Sequence, residues 1–475
     1  MIRYLFLILL LIASCSKDDV TKELITGTTP TTPNTPTTPN TPTTPTTPPS
    51  YTLSERYTDI NETTGYFKAQ EYFEEYLTKD YLNSLMISEG FCNYFPFHKN
   101  TAILDFDGDG NKDLVAFFTS ICEGEQDYGA KFGKYVFISN YRVSNTKIIV
   151  DADHRFGGGQ FNVNDFDGDG RSEILFYSTE AKFNMFNLEE NIGGGTNNPP
   201  LAPTLLYLEN GLLKTKTVGL PGELHTGASG DIDNDGDIDF VMWHVPSKYD
   251  NVDFDFTPSV AINNGNFNFN TIDITLQSNQ WYATAIDLFD VNGDSYLDLI
   301  VGWRAGTSKW NLLYPNHSNS LTGPVILYGD GTGNFNESNS VQLFETYLTS
   351  RDISASILGF GYSDYDLDGD VDIIVSTTRE EPGGSFEDGT FYDNYYLLLF
   401  SNDNGTFTEV TDIDMVGSYD QSQNFPNFYF IRTIDKDRDG TFDIVPDGIA
   451  NWGPIPYVNN LFWEKVGNKF IRRIN

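Results

Sequence analysis

DFDGDGNKDLVAFF, from Asp105 to Phe118, places carboxylates at its first, third, fifth and ninth positions and then turns wholly apolar. The acidic part returns five times: DFDGDGRSE from Asp165, DIDNDGDID from Asp231, DVNGDSYLD from Asp290, DYDLDGDVD from Asp364 and DKDRDGTFD from Asp435. So many carboxylates in so short a stretch repel one another unless a cation lies among them. Ca²⁺, a hard cation that takes about six to eight oxygens in a flexible shell, suits such a donor set.

The expected ligands are Asp105, Asp107, Asp109 and Asp113; Asp165, Asp167, Asp169 and Glu173; Asp231, Asp233, Asp235 and Asp239; Asp290, Asn292, Asp294 and Asp298; Asp364, Asp366, Asp368 and Asp372; and Asp435, Asp437, Asp439 and Asp443. Position 7 (Asn111, Arg171, Asp237, Tyr296, Asp370 and Thr441) is expected to offer its backbone carbonyl. Up to six ions follow. Glycine holds the sixth position in five loops, where a left-handed backbone costs it little. The fourth loop has Asn292 and Ser295 instead of Asp and Gly, and is expected to bind most weakly.

An EF-hand needs an acid at position 12 and flanking helices. Position 12 here is Ala116, Phe176, Met242, Val301, Val375 and Pro446. The runs after position 9, such as FVMW from Phe240 and LIVGW from Leu299, are short and rich in β-formers, so they read as strands. Farther on, each repeat carries an apolar strand, a Gly/Asn turn and another strand: SVAINNGNFNF from Ser259, VILYGDGTGNF from Val325, YLLLFSNDNGTF from Tyr396 and LFWEKVGNKFI from Leu461, with weaker copies from Tyr135 and Leu205. These read as hairpins. Loops begin 60, 66, 59, 74 and 71 residues apart. A four-stranded unit of that size, repeated, predicts an all-β propeller of antiparallel blades.

Tandem DxDxDGxxD loops followed by N-x-G-x-F hairpins resemble the FG-GAP/VCBS repeats of integrin-α-type propellers. The resemblance covers residues 95–475. It implies that calcium stiffens the edge where each loop joins a blade's first two strands. Six blades are favoured, with a partly helical cap over residues 51–94, where GYFKAQEYFEEYLTKDYLNSLM has amphipathic helical spacing. Seven blades, with residues 51–99 as a degenerate member, are the alternative.

Residues 1–14 read as a secretory signal with too short an apolar core to span a bilayer. Ile12-Ala13-Ser14-Cys15 resembles a bacterial lipobox with Cys15 lipidated, and the following SKDDV resembles the surface-export signal of Bacteroidota lipoproteins; a plain soluble spacer is the alternative. The rest of residues 15–50 is a tether. Proline recurs every third residue from Pro30 to Pro48, which lines one edge of a polyproline II rod. At about 3.1 Å per residue it reaches on the order of 70 Å. This places the chain on the outer membrane, facing outward.

Positions 1, 3, 5 and 9 alone hold 23 of the 67 acids, and six Ca²⁺ would take the net charge from −38 to about −26. That argues against nucleic acid or anionic lipid as a partner. Cys92 and Cys122 are expected as one disulfide in an oxidising compartment, with two buried thiols as the alternative.

Three functions fit. The first is a binding lipoprotein that engages a glycan or another cell-surface protein, with aromatics such as Trp243 and Trp303 placed to reach a propeller face. Blades of this type need large residues between sheets, however, and core packing is the stronger reading for any one tryptophan. The second is a polysaccharide-active, lyase-like enzyme. HExxH, GxSxG and a Cys-His pairing are all missing from the sequence, and the five histidines, including His154 and His225, are scattered. The third is a structural subunit of an outer-membrane assembly.

Overall fold

The computed structural model describes residues 62–64, 100–111, 113–119, 133–138, 147–151, 157–179, 202–221, 224–244, 247–249, 252–254, 258–276, 283–303, 324–344, 346, 355–379, 395–416, 428–434, 440–449 and 461–474. All belong to the unit Pro45–Asn475. The signal segment, Cys15, the tether, Cys92, Cys122 and the expected helix at 65–86 lie outside them.

The described chain is almost wholly β. The first sheet holds β1 (Glu62–Thr64), β2 (Asn100–Leu104), β3 (Asp113–Thr119), β4 (Gly133–Ile138) and β5 (Lys147–Asp151). The second holds β6 (Gly157–Asn164), β7 (Glu173–Thr179), β8 (Thr204–Glu209) and β9 (Leu212–Thr217). The third starts with β10 (Leu224–Gly230) and β11 (Asp239–His244). It is interrupted by a small ribbon of β12 (Ser247–Tyr249) and β13 (Val252–Phe254), and ends with β14 (Ser259–Asn263) and β15 (Phe269–Asp273). The fourth is β16 (Ala283–Phe289), β17 (Asp298–Trp303), β18 (Val325–Leu327) and β19 (Ser340–Gln342). The fifth is β20 (Ala355–Ser363), β21 (Asp372–Arg379), β22 (Tyr395–Asp403) and β23 (Thr406–Glu409). A single helical turn, α1 (Thr411–Asp414), leads through β24 (Met415–Val416) to the sixth, β25 (Phe428–Ile434), β26 (Asp443–Ile449), β27 (Leu461–Lys465) and β28 (Phe470–Ile474).

Within every sheet the four main strands pair antiparallel in chain order, and each acidic loop joins the first strand to the second. Two sheets gain a fifth strand. β1 lies antiparallel on β2, so the stretch before residue 95 contributes a strand to the first sheet. β24 lies parallel on β28.

The second strands are apolar on both faces because both faces are buried. Side chains alternate across a strand, so neighbours serve different cores. Ile174 packs with Leu104 and Phe137 of the first sheet, whereas Leu175 packs with Phe240 and Met242 of the third. Five such cores are described, each shared by two consecutive sheets. Each fully buried aliphatic or aromatic side chain contributes about 1.5–3 kcal/mol.

First strands of consecutive sheets touch in chain order from β2 to β25. They are tied by hydrogen bonds: Asn164 Nδ2 donates to Ser229 Oγ (2.6 Å), Ile286 N to Thr226 Oγ1 (3.3 Å) and Thr433 Oγ1 to the Tyr362 carbonyl (2.8 Å). The approach is close. A Cβ at Gly227 would sit 2.0 Å from Cζ of Tyr177, one sheet away.

One hairpin departs from its reading. After β18 the segment GDGTGNF does not return as a strand at Phe335; β19 forms only at Ser340–Gln342. Residues 335–337 instead bond to the preceding sheet's end, with Thr275 N donating to the Phe335 carbonyl (3.1 Å) and Glu337 N to the Thr275 carbonyl (3.0 Å). Phe335 is thereby buried in the core between sheets three and four.

Candidate metal centres

Side chains of one loop fold back onto its own backbone in a repeated pattern. The first carboxylate accepts from the N–H of position 6 in all five loops described at these residues: Asp105 from Gly110 (2.9 Å), Asp165 from Gly170 (2.8 Å), Asp231 from Gly236 (3.2 Å), Asp290 from Ser295 (2.9 Å) and Asp364 from Gly369 (3.2 Å). The fifth accepts from position 7, as when Asp235 Oδ1 takes the Asp237 N–H at 2.9 Å. These bonds curl the chain so that positions 4 and 6 take positive φ. Position 4 is Gly108, Gly168, Asn234, Gly293 and Leu367, the last at φ 63° with its side chain largely exposed. Such a conformation is uncommon for a branched side chain. The sequence reading singled out position 6 and missed this second demand.

The curl brings positions 1, 3 and 9 together. Oxygens of Asp105, Asp107 and Asp113 lie within 4.8 Å of one another, as do those of Asp165, Asp167 and Glu173, of Asp231, Asp233 and Asp239, and of Asp364, Asp366 and Asp372. Position 5, expected as a ligand, is not part of these groups. Three of the loops leave a buried carboxylate oxygen with no hydrogen-bond partner: Asp105 Oδ1, Asp231 Oδ1 and Asp366 Oδ1. A buried, unpartnered carboxylate oxygen is costly, and a hard divalent cation satisfies it. The donor set is all oxygen and rich in carboxylate, which fits Ca²⁺. In the fourth loop Asn292 replaces the acid. In the sixth, Asp435, Asp437 and Asp439 lie outside the described residues, and only Gly440 to Asp443 are placed.

Position 9 does more than the sequence reading assigned. All six residues there (Asp113, Glu173, Asp239, Asp298, Asp372 and Asp443) are buried. One oxygen accepts from the position 2 N–H, as in Ile232 to Asp239 (2.8 Å) and Tyr365 to Asp372 (2.8 Å). In four sheets the other accepts from the end of the third strand: Asn263 to Asp239 (2.8 Å), Gly329 to Asp298 (3.0 Å), Asn402 to Asp372 (2.9 Å) and Lys465 to Asp443 (2.9 Å). The carboxylate is a strut between loop and sheet as well as a candidate ligand.

Electrostatics agree. Burial pushes the Asp239 carboxyl up to about 8 against the N–H groups of Asn263 and Ile232, which favour its charge. Burial likewise raises Glu173 to about 8, Asp298 and Asp372 to about 7, and Asp231 to about 6, with neighbouring loop acids adding to each. Asp169 moves the other way, because the Arg171 side chain bonds it. Arg171 Nε lies 2.9 Å from Asp169 Oδ2, and its terminal nitrogen pairs with the same oxygen.

Two further residues matter that were read only as turn formers. Asn263 Nδ2 donates to the Phe166 carbonyl of the second loop (2.7 Å) and the Ile238 carbonyl of its own (3.1 Å). Asn402 Nδ2 does the same to Val291 and Val371, each at 3.1 Å. An Asn-x-Gly or Asn-x-x-Gly at a third-strand end was the available signal.

Trp243 does not reach a face. It is fully buried between sheets three and four, because its strand position points inward; Trp463 is buried too. Trp281, Trp310, Trp452, His98, His154 and His317 lie outside the described residues, and the side chains of Trp303, His225 and His244 are likewise not described.

A model of the FG-GAP-like repeat matches residues 215–301, which span the loops at Asp231 and Asp290. Comparison with curated proteins returns no match. Among solved structures, a lectin of Agrocybe aegerita, described as recognising non-reducing terminal N-acetylglucosamine, is 15% identical over 66% of this chain and 78% of its own, with a TM-score of 0.32. The rhamnogalacturonan lyase YesW is 11% identical over 78% of this chain and 56% of its own, at 0.35. The exotype rhamnogalacturonan lyase YesX is 13% identical over 66% and 57%, at 0.32. The chain thus spans little more than half the length of either lyase, and the fold assignment rests on the strand pairing described above.

Proposed function

We propose that this chain is a calcium-stabilised binding protein of the cell surface. In this reading the six sheets are blades of a closed β-propeller. A lipid at Cys15 anchors it to the outer membrane, the Thr/Pro tether holds it outward, and one propeller face engages a glycan or a protein partner.

The observation that carries the reading is the recurrence of one loop geometry, most complete at Asp231, Asp233 and Asp239, where a buried oxygen lacks any partner. When bound, the ion would supply charge neutralisation at those carboxylates. The acids at positions 1, 3 and 9 would hold it, while position 9 also ties the loop to the third strand. The stacking of the blades is supported by first strands that touch in chain order and, among the described residues, by cores each shared by two consecutive sheets. Export and anchoring are supported by the N-terminal sequence.

Binding is tested with the purified full chain on a glycan array and by pull-down from intact cells. A glycan hit or a stoichiometric surface protein supports the reading; capture of neither rejects it. Cleavage of a polysaccharide would replace it with the enzymatic alternative.

A further inference from the structure

We infer that the described loops fall into two classes. Those at Asp105, Asp231 and Asp364 depend on a divalent cation, whereas those at Asp165 and Asp290 are held by the chain's own donors and bind the cation more weakly. This inference rests on the calcium reading above.

The first class carries the orphaned buried oxygens, Asp105 Oδ1, Asp231 Oδ1 and Asp366 Oδ1. Asp231 is itself almost wholly buried, and among the described residues that oxygen has no hydrogen-bond partner. A donor on the position 5 carboxylate does not itself separate the classes, since Asn111 Nδ2 also donates to Asp109 Oδ1 (3.0 Å) in the first loop. The second class differs in having its negative charge reduced as well. Arg171 donates to Asp169 in the second loop. Asn292 Nδ2 donates to Asp294 Oδ2 at 3.0 Å in the fourth. A guanidinium forked on a carboxylate is a charge-assisted pair that an incoming cation must displace. An amide at position 3 removes one of the negative charges that attract the ion.

A second, independent feature separates the same loops. The carbonyls of Phe166 and Val291, at position 2 of the second and fourth loops, each accept from an asparagine of the following sheet. Register identifies the equivalent residue facing the first loop as Leu208 and that facing the third as Gly329. Neither has a polar side chain. The second and fourth loops are thus braced from a neighbouring sheet by a buried amide, and the first and third are not. In the second and fourth loops the brace coincides with a loss of negative charge, through Arg171 in one and Asn292 in the other. The first and third keep an acid at positions 1, 3, 5 and 9 and face a residue with no polar side chain; the same register puts Lys465 opposite the fifth.

The test counts calcium bound per full-length chain at low free Ca²⁺ by equilibrium dialysis. Asp233→Asn is expected to lose one ion relative to wild type, and Asp167→Asn none. Arg171→Asn, which gives the second loop the residue of the first, is expected to gain one, and adding Asp167→Asn should remove it. Equal losses from Asp167→Asn and Asp233→Asn, or no gain from Arg171→Asn, overturn the inference. Should a variant fail to fold, deuterium exchange of the wild-type protein with and without chelator decides. Protection is expected to fall over residues 105–113 and 231–239 and to persist over 165–173 and 290–298; a uniform fall overturns the two classes. Wild-type protein that binds calcium equally at all loops defeats this inference alone, while protein that binds none defeats the calcium reading as well.

Discussion

Asn263 and Phe166 are 97 residues apart in the chain, yet the amide nitrogen of the first lies 2.7 Å from the carbonyl of the second, in the buried seam between the second and third sheets. The same asparagine gives its backbone N–H to Asp239. One residue therefore fastens two consecutive acidic loops. Removing the amide strands two carbonyls. Asn263→Ala is expected to lower unfolding free energy by about 1–3 kcal/mol, the range for a buried polar group left unsatisfied. Denaturant unfolding checks this, with Asn264→Ala in the adjacent exposed turn as the mild comparison.

Sheet-to-sheet contact is equally tight at Gly227. A Cβ there would lie 2.0–2.4 Å from three ring atoms of Tyr177. The ring is fully buried and its hydroxyl reaches the Ala228 carbonyl at 3.4 Å, so it has little room to retreat. Gly227→Ala is expected to cost about 1–3 kcal/mol through overpacking, read as a lower denaturation midpoint.

Trp243 should behave as core. Trp243→Ala is expected to destabilise by about 3–5 kcal/mol. The conservative Trp243→Phe should keep any ligand affinity unchanged in a binding titration, since the indole is sealed from solvent.

The raised carboxyls predict opposite pH behaviour with and without metal. In metal-free buffer Asp239, Glu173, Asp298 and Asp372 hold protons more tightly folded than unfolded. Their contribution is fully present below the unfolded values near 4 and is lost as pH rises through about 7–8. Melting temperature without metal should therefore fall between pH 5 and pH 8.5. Calcium binds the deprotonated carboxylates, so its stabilising increment should grow over the same range. Parallel melting curves at several pH values, with and without calcium, check both signs.

Much of this was legible in the sequence because the loops satisfy a local rule. The carboxylates that the fold gathers lie within nine residues, and the short apolar run beginning at Phe240, rich in β-formers, reads as a strand. What escaped was non-local. Asn263 and Asn402 read as turn residues, since their partners lie 97 and 111 residues away. The long hairpin between Val325 and Gln342 was misjudged because the bonds that hold Phe335 come from Thr275 of another sheet. Position 9 was taken for a ligand alone, since its bonds to the third strand appear only once the sheet is formed. Leu367 shows why position 4 was overlooked: the left-handed demand is met there by a residue that does not advertise it.

Thermal melting of the purified full chain in saturating calcium and in excess chelator tests the central claim most directly. An ion that binds only the folded protein stabilises by mass action, by about 2.7 kcal/mol per site at a concentration one hundred times its dissociation constant. The account predicts a melting temperature several degrees higher, at the least, with calcium. Superimposable curves would contradict it.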